Sequence, residues 1–216
     1  MVDLILLIHV AFGVTALISA FIAAANKKGA KNHRKVGRVF FWSMLGVGVT
    51  AIPVTFINPN PFLFFIAIFS FYMAFIGYRL GKPRYQPASL DQVAPVIMVI
   101  TVLGMYWHGY QMITNSDGLG WALIAFGTIG LVNAIEDIVE LGRNSSHSRK
   151  VIVHLSRMLG GTIATITAVL VQQISPLVES DTAQLLIWLG PTVVITPLIV
   201  WWNIKVRVTG KYRLFS

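Results

Sequence analysis

Cysteine is absent from this sequence, and charge is scarce. Without cysteine there is no disulfide scaffold, no thiolate nucleophile and no cysteine metal site. Charged residues make up 12% of the chain, about half of the roughly 25% found in an ordinary globular domain. Acidic residues are scarcer still, eight against 17 Lys and Arg. The motifs of soluble enzymes are missing as well. There is no Walker A loop, dinucleotide fingerprint, Gly-x-Ser-x-Gly elbow or His-Glu-x-x-His pair. The last apolar stretch has no lysine near its middle, which excludes a retinal Schiff base there.

What the chain does have is apolar length. Its 216 residues are 56% hydrophobic, and the mean hydropathy is +0.72. That excludes disorder, which requires low hydrophobicity, and leaves too little polar material to coat a soluble domain. A membrane-spanning helix needs about 20 mostly apolar residues. Seven stretches qualify: Val2–Ala25, Val36–Ile57, Pro61–Leu80, Asp91–Ile113, Leu119–Leu141, Val151–Ile174 and Gln184–Lys205. Helix-breaking segments separate them, including Asn58-Pro59-Asn60-Pro61, Asn115-Ser116-Asp117-Gly118 and Ser175-Pro176. The first stretch does not read as a cleaved signal peptide, because no basic residue precedes it. The expectation is an all-α integral membrane bundle, one transmembrane domain over 1–216.

All 17 basic residues fall on one side of a seven-span topology. The opposite loops carry Asp3, Asp117, Glu179 and Asp181 and no base. By the positive-inside rule the N-terminus is outside and the C-terminus cytoplasmic. The net charge of +9 then reflects loops facing anionic lipid, and no nucleic-acid partner is needed.

An offset of 114 residues aligns Ala11-Phe12-Gly13 with Ala125-Phe126-Gly127, His33 with His147, and Met44-Leu45-Gly46 with Met158-Leu159-Gly160. Ten of the 41 positions from Val10 to Thr50 are identical. This suggests a parallel 3+1+3 repeat: repeat 1 over about 2–80, a linker helix over about 91–113, and repeat 2 over about 119–205. Among transporters the arrangement is similar to the sugar-transporting SWEET family. The likeness is of architecture only, since that family's motifs are absent.

His33-Arg34-Lys35-Val36-Gly37-Arg38 opens the second span, and His147-Ser148-Arg149 with His154-Leu155-Ser156-Arg157-Met158 opens the sixth. On these residues and an early-span histidine, the chain resembles a family of predicted bacterial multi-pass membrane proteins of unknown function. The resemblance implies a bacterial inner (plasma) membrane location and supplies no activity.

Ionisable groups inside spans are expensive and usually functional. Asn133/Asp137 and Glu136/Glu140 are i,i+4 pairs on span five, and His154 and Arg157 lie one to two turns into span six. With the two basic span starts at equivalent places, the expected ligand-binding site or gate comprises Asn133, Glu136, Asp137, His154, Arg157, Arg38 and His33. Its bland counterpart is an ion-pair network tying spans five and six. Asp137 is the expected acid for Arg157, because Asn133 shares its face. His9 and His108 lie at matching depth from the acidic side and could ligate one haem b, with Phe12, Met105, Tyr106, Trp107 and Tyr110 around the ring. A membrane metallohydrolase drawing on His154, Asp137 and His33 or His147 is a third reading.

Pro191 and Pro197 make span seven the most interrupted, and Gly46, Gly48, Gly160 and Gly161 allow close helix approach. Trp201, Trp202 and Tyr212 are expected in an inner aromatic belt, Trp121 and Trp188 in an outer one. The leading function is binding or transport of a small solute or ion, with the lipid bilayer as partner. A homodimer is left open, and the substrate is not legible.

Overall fold

The computed structural model describes residues 2–82, 84–141 and 147–209, without the side chains of Val2, Leu141 and His147. Among them every regular element is helical. The helices are α1 (Val2–Ala25), α2 (Lys31–Ile57), α3 (Pro61–Leu80), α4 (Ser89–Thr114), α5 (Gly120–Leu141), α6 (His147–Ile174) and α7 (Asp181–Thr209). A 3-10 turn, Ser175–Leu177, joins the last two. All seven are long and apolar enough to cross a membrane. The chain is thus an all-α bundle compatible with a multi-pass membrane protein.

The helices outrun the apolar stretches where the flanks are basic. α2 starts at Lys31 and not Val36, α6 at His147 and not Val151, and α7 ends at Thr209 and not Lys205. Apolarity marks the part of a helix that lipid can cover, whereas the backbone stays helical through Lys and Arg, which are good helix formers. At α3 the signals agree. Asn60 caps the helix by accepting the Leu63 amide at 3.0 Å, and Pro61 takes the first helical position. α7 runs unbroken through Pro191 and Pro197, contrary to the expected interruption. A proline removes one intrahelical bond, and a long apolar helix with packed neighbours absorbs that loss.

α3 is the hub, packing on α2, α4, α5 and α6. Its Phe69, Tyr72, Met73 and Ile76 meet Met98, Val102 and Met105 of α4, and Leu123, Phe126 and Ala134 of α5. Ala16 and Ala20 of α1, Phe40 and Met44 of α2, and Ala74 of α3 form a second cluster. Outward faces remain apolar, as at Leu7, Phe56, Leu103 and Val194, consistent with lipid contact. Trp188 and Trp202 depart from the aromatic belts: both are buried, Trp188 edge-on to Phe62 at 4.7 Å and Trp202 with Ile152 and Val206. Trp121 and Trp201 are exposed, and Tyr212 lies outside the described residues.

The two sets of repeat helices pack differently. α1 lies on α2, whereas α5 lies chiefly on α4 and α6 chiefly on α3 and α7. The matched glycines also face different partners. A Cβ on Gly46 would fall 2.5 Å from the Phe12 ring of α1, while one on Gly160 would strike Met73 of α3. α2 on α3 does match α6 on α7, but the α1–α2 packing has no α5–α6 counterpart, so the packing does not establish the 3+1+3 repeat.

Candidate functional site: a buried arginine and its carboxylates

Contacts of Lys28 with Trp202, His33 with His154, Lys150 with Tyr85 and Arg149 with Glu136 gather the starts of α2 and α6 and the ends of α1, α5 and α7 at one end of the bundle, here the basic end. Arg157, two to three turns into α6, is 1% exposed. An unpaired guanidinium inside a span costs about 2.5–3.5 kcal/mol on insertion scales, so it must find acceptors. It finds them on α5. Nη1 donates to Asn133 Oδ1 at 2.6 Å. Nη2 donates to the Asn133 carbonyl at 3.1 Å, to Glu136 Oε2 at 2.8 Å and to Asp137 Oδ1 at 2.8 Å. Nε reaches Asp137 Oδ2 at 3.2 Å. Asp137 is 4% exposed and Glu136 is at the margin, its side chain 29% exposed. The i,i+3 and i,i+4 spacing of Asn133, Glu136 and Asp137 places all three acceptors around one cation.

Three residues outside the expected set, Tyr72, Arg149 and Glu140, complete the network. Tyr72 of α3 donates its hydroxyl to Asp137 Oδ2. Arg149 donates to Glu136 Oε1 at 2.6 Å and to Glu140 Oε2 at 3.1 Å. The other Glu140 oxygen is buried and has no hydrogen-bond partner among the described residues. Tyr72 sits in an aromatic run that reads as ordinary core, so only its hydroxyl at this depth could have flagged it. Arg149 sits in the motif at the start of α6, but its carboxylates are visible only once the fold brings the basic ends of α5 and α6 within side-chain reach.

The structure divides the other expected members. His154 turns away from the carboxylates. Its Nδ1 meets the Gly77 carbonyl of α3 at 2.6 Å, and its ring stands edge-to-face with His33, centroids 6.3 Å apart. His33 Nδ1 meets the Ala23 carbonyl at 3.0 Å. Since a carbonyl only accepts, both imidazoles carry their proton on Nδ1. Gly81 makes room for this contact, since a Cβ there would lie 2.6 Å from the His154 ring, and a Cβ on Gly77 would press on Met158 of α6 at 2.9 Å. Arg38 is exposed on α2 and bonds to no member of the Arg157 network. The side chain of His147 lies outside the described residues. Among the described residues no group of three His, Asp or Glu could hold a metal ion.

His9 and His108 do not share a site. His9 Nδ1 meets Thr50 Oγ1 of α2 at 2.9 Å, and His108 packs beside Phe65 of α3 with ring centroids 6.3 Å apart. α1 packs on α2 and α6, and α4 on α3 and α5. The expected ring pocket is scattered too: Phe12 lies against Gly46, and Trp107 and Tyr110 face outward. This arrangement does not offer two axial ligands to one haem.

A second buried carboxylate was not singled out as a site. Asp91, third residue of α4 and 2% exposed, accepts Arg79 Nε at 2.7 Å and Nη2 at 2.6 Å, Tyr85 Oη at 3.1 Å and the Ala88 amide at 2.9 Å. It pins the α3–α4 loop. Burial, then the Asp91 charge and its hydrogen bond, push the Tyr85 phenol up to about 12. In the α1–α2 loop, burial lowers the Lys28 ammonium. Lys28 bonds to carbonyls at the end of α1 and lies 5.4 Å from the Trp202 ring centre. No protein-family model, curated protein or solved structure matches the chain.

Proposed function

We propose that this chain binds or transports a small solute or ion in a bacterial inner membrane, and that the Arg157 network is its polar site or gate. One observation carries the reading. A guanidinium almost wholly out of reach of solvent, with two carboxylates, an amide and a phenol, joins α3, α5 and α6 within apolar helices. Apolar packing of similar volume often holds helices together as well as a buried ion pair does. Ionisable groups at such depth mark ligand or ion pathways by default. The network has the chemistry for a polar or charged ligand. Such a ligand would compete for Arg157 or for its carboxylates and loosen α6 from α5.

The test is reconstitution into sealed vesicles. Fluxes of H⁺, Na⁺ and K⁺ are followed with dyes, and those of small neutral solutes by light scattering. One of them is expected to exceed protein-free vesicles and to fall with Asp137→Asn. If none does, and no solute shifts the melting temperature, the reading fails. The proposed orientation has its own test. Single cysteines at Asn60, Ser116 and Ser180 label from outside intact cells with an impermeant reagent, and those at Gly29 and Ser89 do not.

A further inference from the structure

We propose that the groove between α1 and α2 binds one anionic phospholipid, with its phosphate on Lys35 and Arg38 and an acyl chain along Phe12, Val39 and Trp42. These residues and Ser43 line an open groove. Their spacing gives it polarity. Lys35 and Arg38 are i,i+3, Lys35 and Val39 i,i+4, and Arg38 and Trp42 i,i+4, so all four share one face of α2. From Lys35 to Ser43 the helix rises about 12 Å. The cations sit toward the start of the helix and the apolar surface lies deeper. The deep wall is firm, because the Phe12 ring occupies the space a side chain at Gly46 would need, 2.5 Å from where its Cβ would stand. Trp42 is 59% exposed and Val39 41%, which leaves the floor open to an occupant.

Charge identifies that occupant. Neither Lys35 nor Arg38 has an ion pair or hydrogen bond among the described residues. Both lie in the N-terminal third of α2, whose first turn already holds Lys31, Arg34 and the positive end of the helix dipole. No acid of the fold answers them, so the counter-ion comes from outside. Free phosphate would satisfy the cations and leave the apolar floor bare. A phospholipid satisfies both, with its phosphate at the headgroup level and its chain along the floor. The inference rests on the helices lying in a bilayer and is independent of the Arg157 site.

The probe is phosphatidylglycerol against phosphatidylcholine, each added to the detergent-purified full chain and counted by native mass spectrometry. Two cations near a headgroup, each contributing about a factor of five, favour the anionic lipid about twenty-five-fold. Lys35→Ala/Arg38→Ala is expected to bring the ratio close to one. Lys27→Ala/Arg207→Ala removes the same charge from exposed sites elsewhere at the basic end and is expected to leave the ratio intact. In a second measurement, phosphatidylglycerol brominated on its acyl chain quenches tryptophan fluorescence more than the brominated choline lipid does, and Trp42→Phe abolishes the difference. The proposal is overturned if the Lys35/Arg38 variant keeps its preference or the control pair loses it equally. Displacement of the lipid by inorganic phosphate, which would indicate a free-anion site, or quenching unchanged by Trp42→Phe also overturns it.

Discussion

α2 and α6 begin with similar sequences and meet opposite surroundings. Each has a histidine within its first three residues followed by Lys and Arg, and each has a further arginine deeper in the helix. At the start of α6 the cations are answered from within the fold: Arg149 and Arg157 share Glu136, Asp137 and Glu140. At the start of α2, Lys35 and Arg38 face outward with no acid. The acids of α5 have no counterpart on α1. At the offset that aligns the two segments, Glu136 and Asp137 correspond to Ile22 and Ala23 of α1. An arginine with acids within reach lies in the protein's interior, and one without them stays exposed.

The largest expected effect breaks the neutralised side of this comparison. Arg157→Ala or Asp137→Ala strands a charge in a buried site, which costs about 3–5 kcal/mol. Loss of folded protein by size exclusion or a lower melting temperature in detergent should follow. Asp137→Arg with Arg157→Asp should recover part of what either reversal loses. An apolar pair, Asp137→Leu with Arg157→Met, should recover most of the stability and none of the flux. If the single alanine variants melt like the parent, the network is not holding α5, α6 and α3 together.

A smaller effect tests the third helix of the same network. Tyr72→Phe removes a hydroxyl bonded to Asp137 and leaves the ring, so it should cost about 1.5–3 kcal/mol. The substitution separates the hydrogen bond from the packing of Tyr72 with Phe69 and Met73. A variant as stable as the parent would mean that Arg157 alone satisfies Asp137.

The helices and the need for a partner at Arg157 were legible, and the neighbours of that partner were not. Length and apolarity dictate a spanning helix, so seven elements follow from composition and spacing. The depth of Arg157 demands an acid, and the i,i+4 relation of Asn133 and Asp137 points one stripe of α5 toward it. Chain order, however, suggests that consecutive helices pack together, whereas α6 lies chiefly on α3 and α7. His154 therefore reaches Gly77, and Tyr72 enters the network from a helix three elements earlier. Arg38 stays apart from the acids although α2 and α6 start alike, because likeness of sequence does not specify which helix each faces.

Arg79 offers an intermediate case, a cation answered by one acid delivered across a loop. Tyr85 reports on that acid. Its phenol is raised to about 12, first by burial and then by Asp91. A raised folded value favours the folded state below the unfolded value near 10, and that contribution disappears as pH rises through about 12. Wild-type minus Tyr85→Phe absorbance at 295 nm should therefore show one phenol ionising near pH 12. A difference titrating near 10 would mean that Tyr85 is neither buried nor held beside Asp91. The stability cost of Tyr85→Phe below pH 9 should be about 1 kcal/mol or less.

The smallest expected effect lies on the unanswered side. Lys35→Ala/Arg38→Ala removes two side chains that are exposed and bonded to no described residue, so its stability in lipid-free detergent should stay within about 0.5 kcal/mol of the parent. Removing two like charges beside Lys31 and Arg34 relieves repulsion at the positive end of the helix dipole, so any shift in melting temperature should be upward. Adding anionic phospholipid should reverse that order, because only the parent gains a ligand and ligand binding to the folded state raises stability by mass action. The crossing of the two melting curves with lipid is the discriminating outcome. If the variant is destabilised without lipid by as much as Arg157→Ala is, then Lys35 and Arg38 are structural cations like Arg157, and the contrast between the two helix starts collapses.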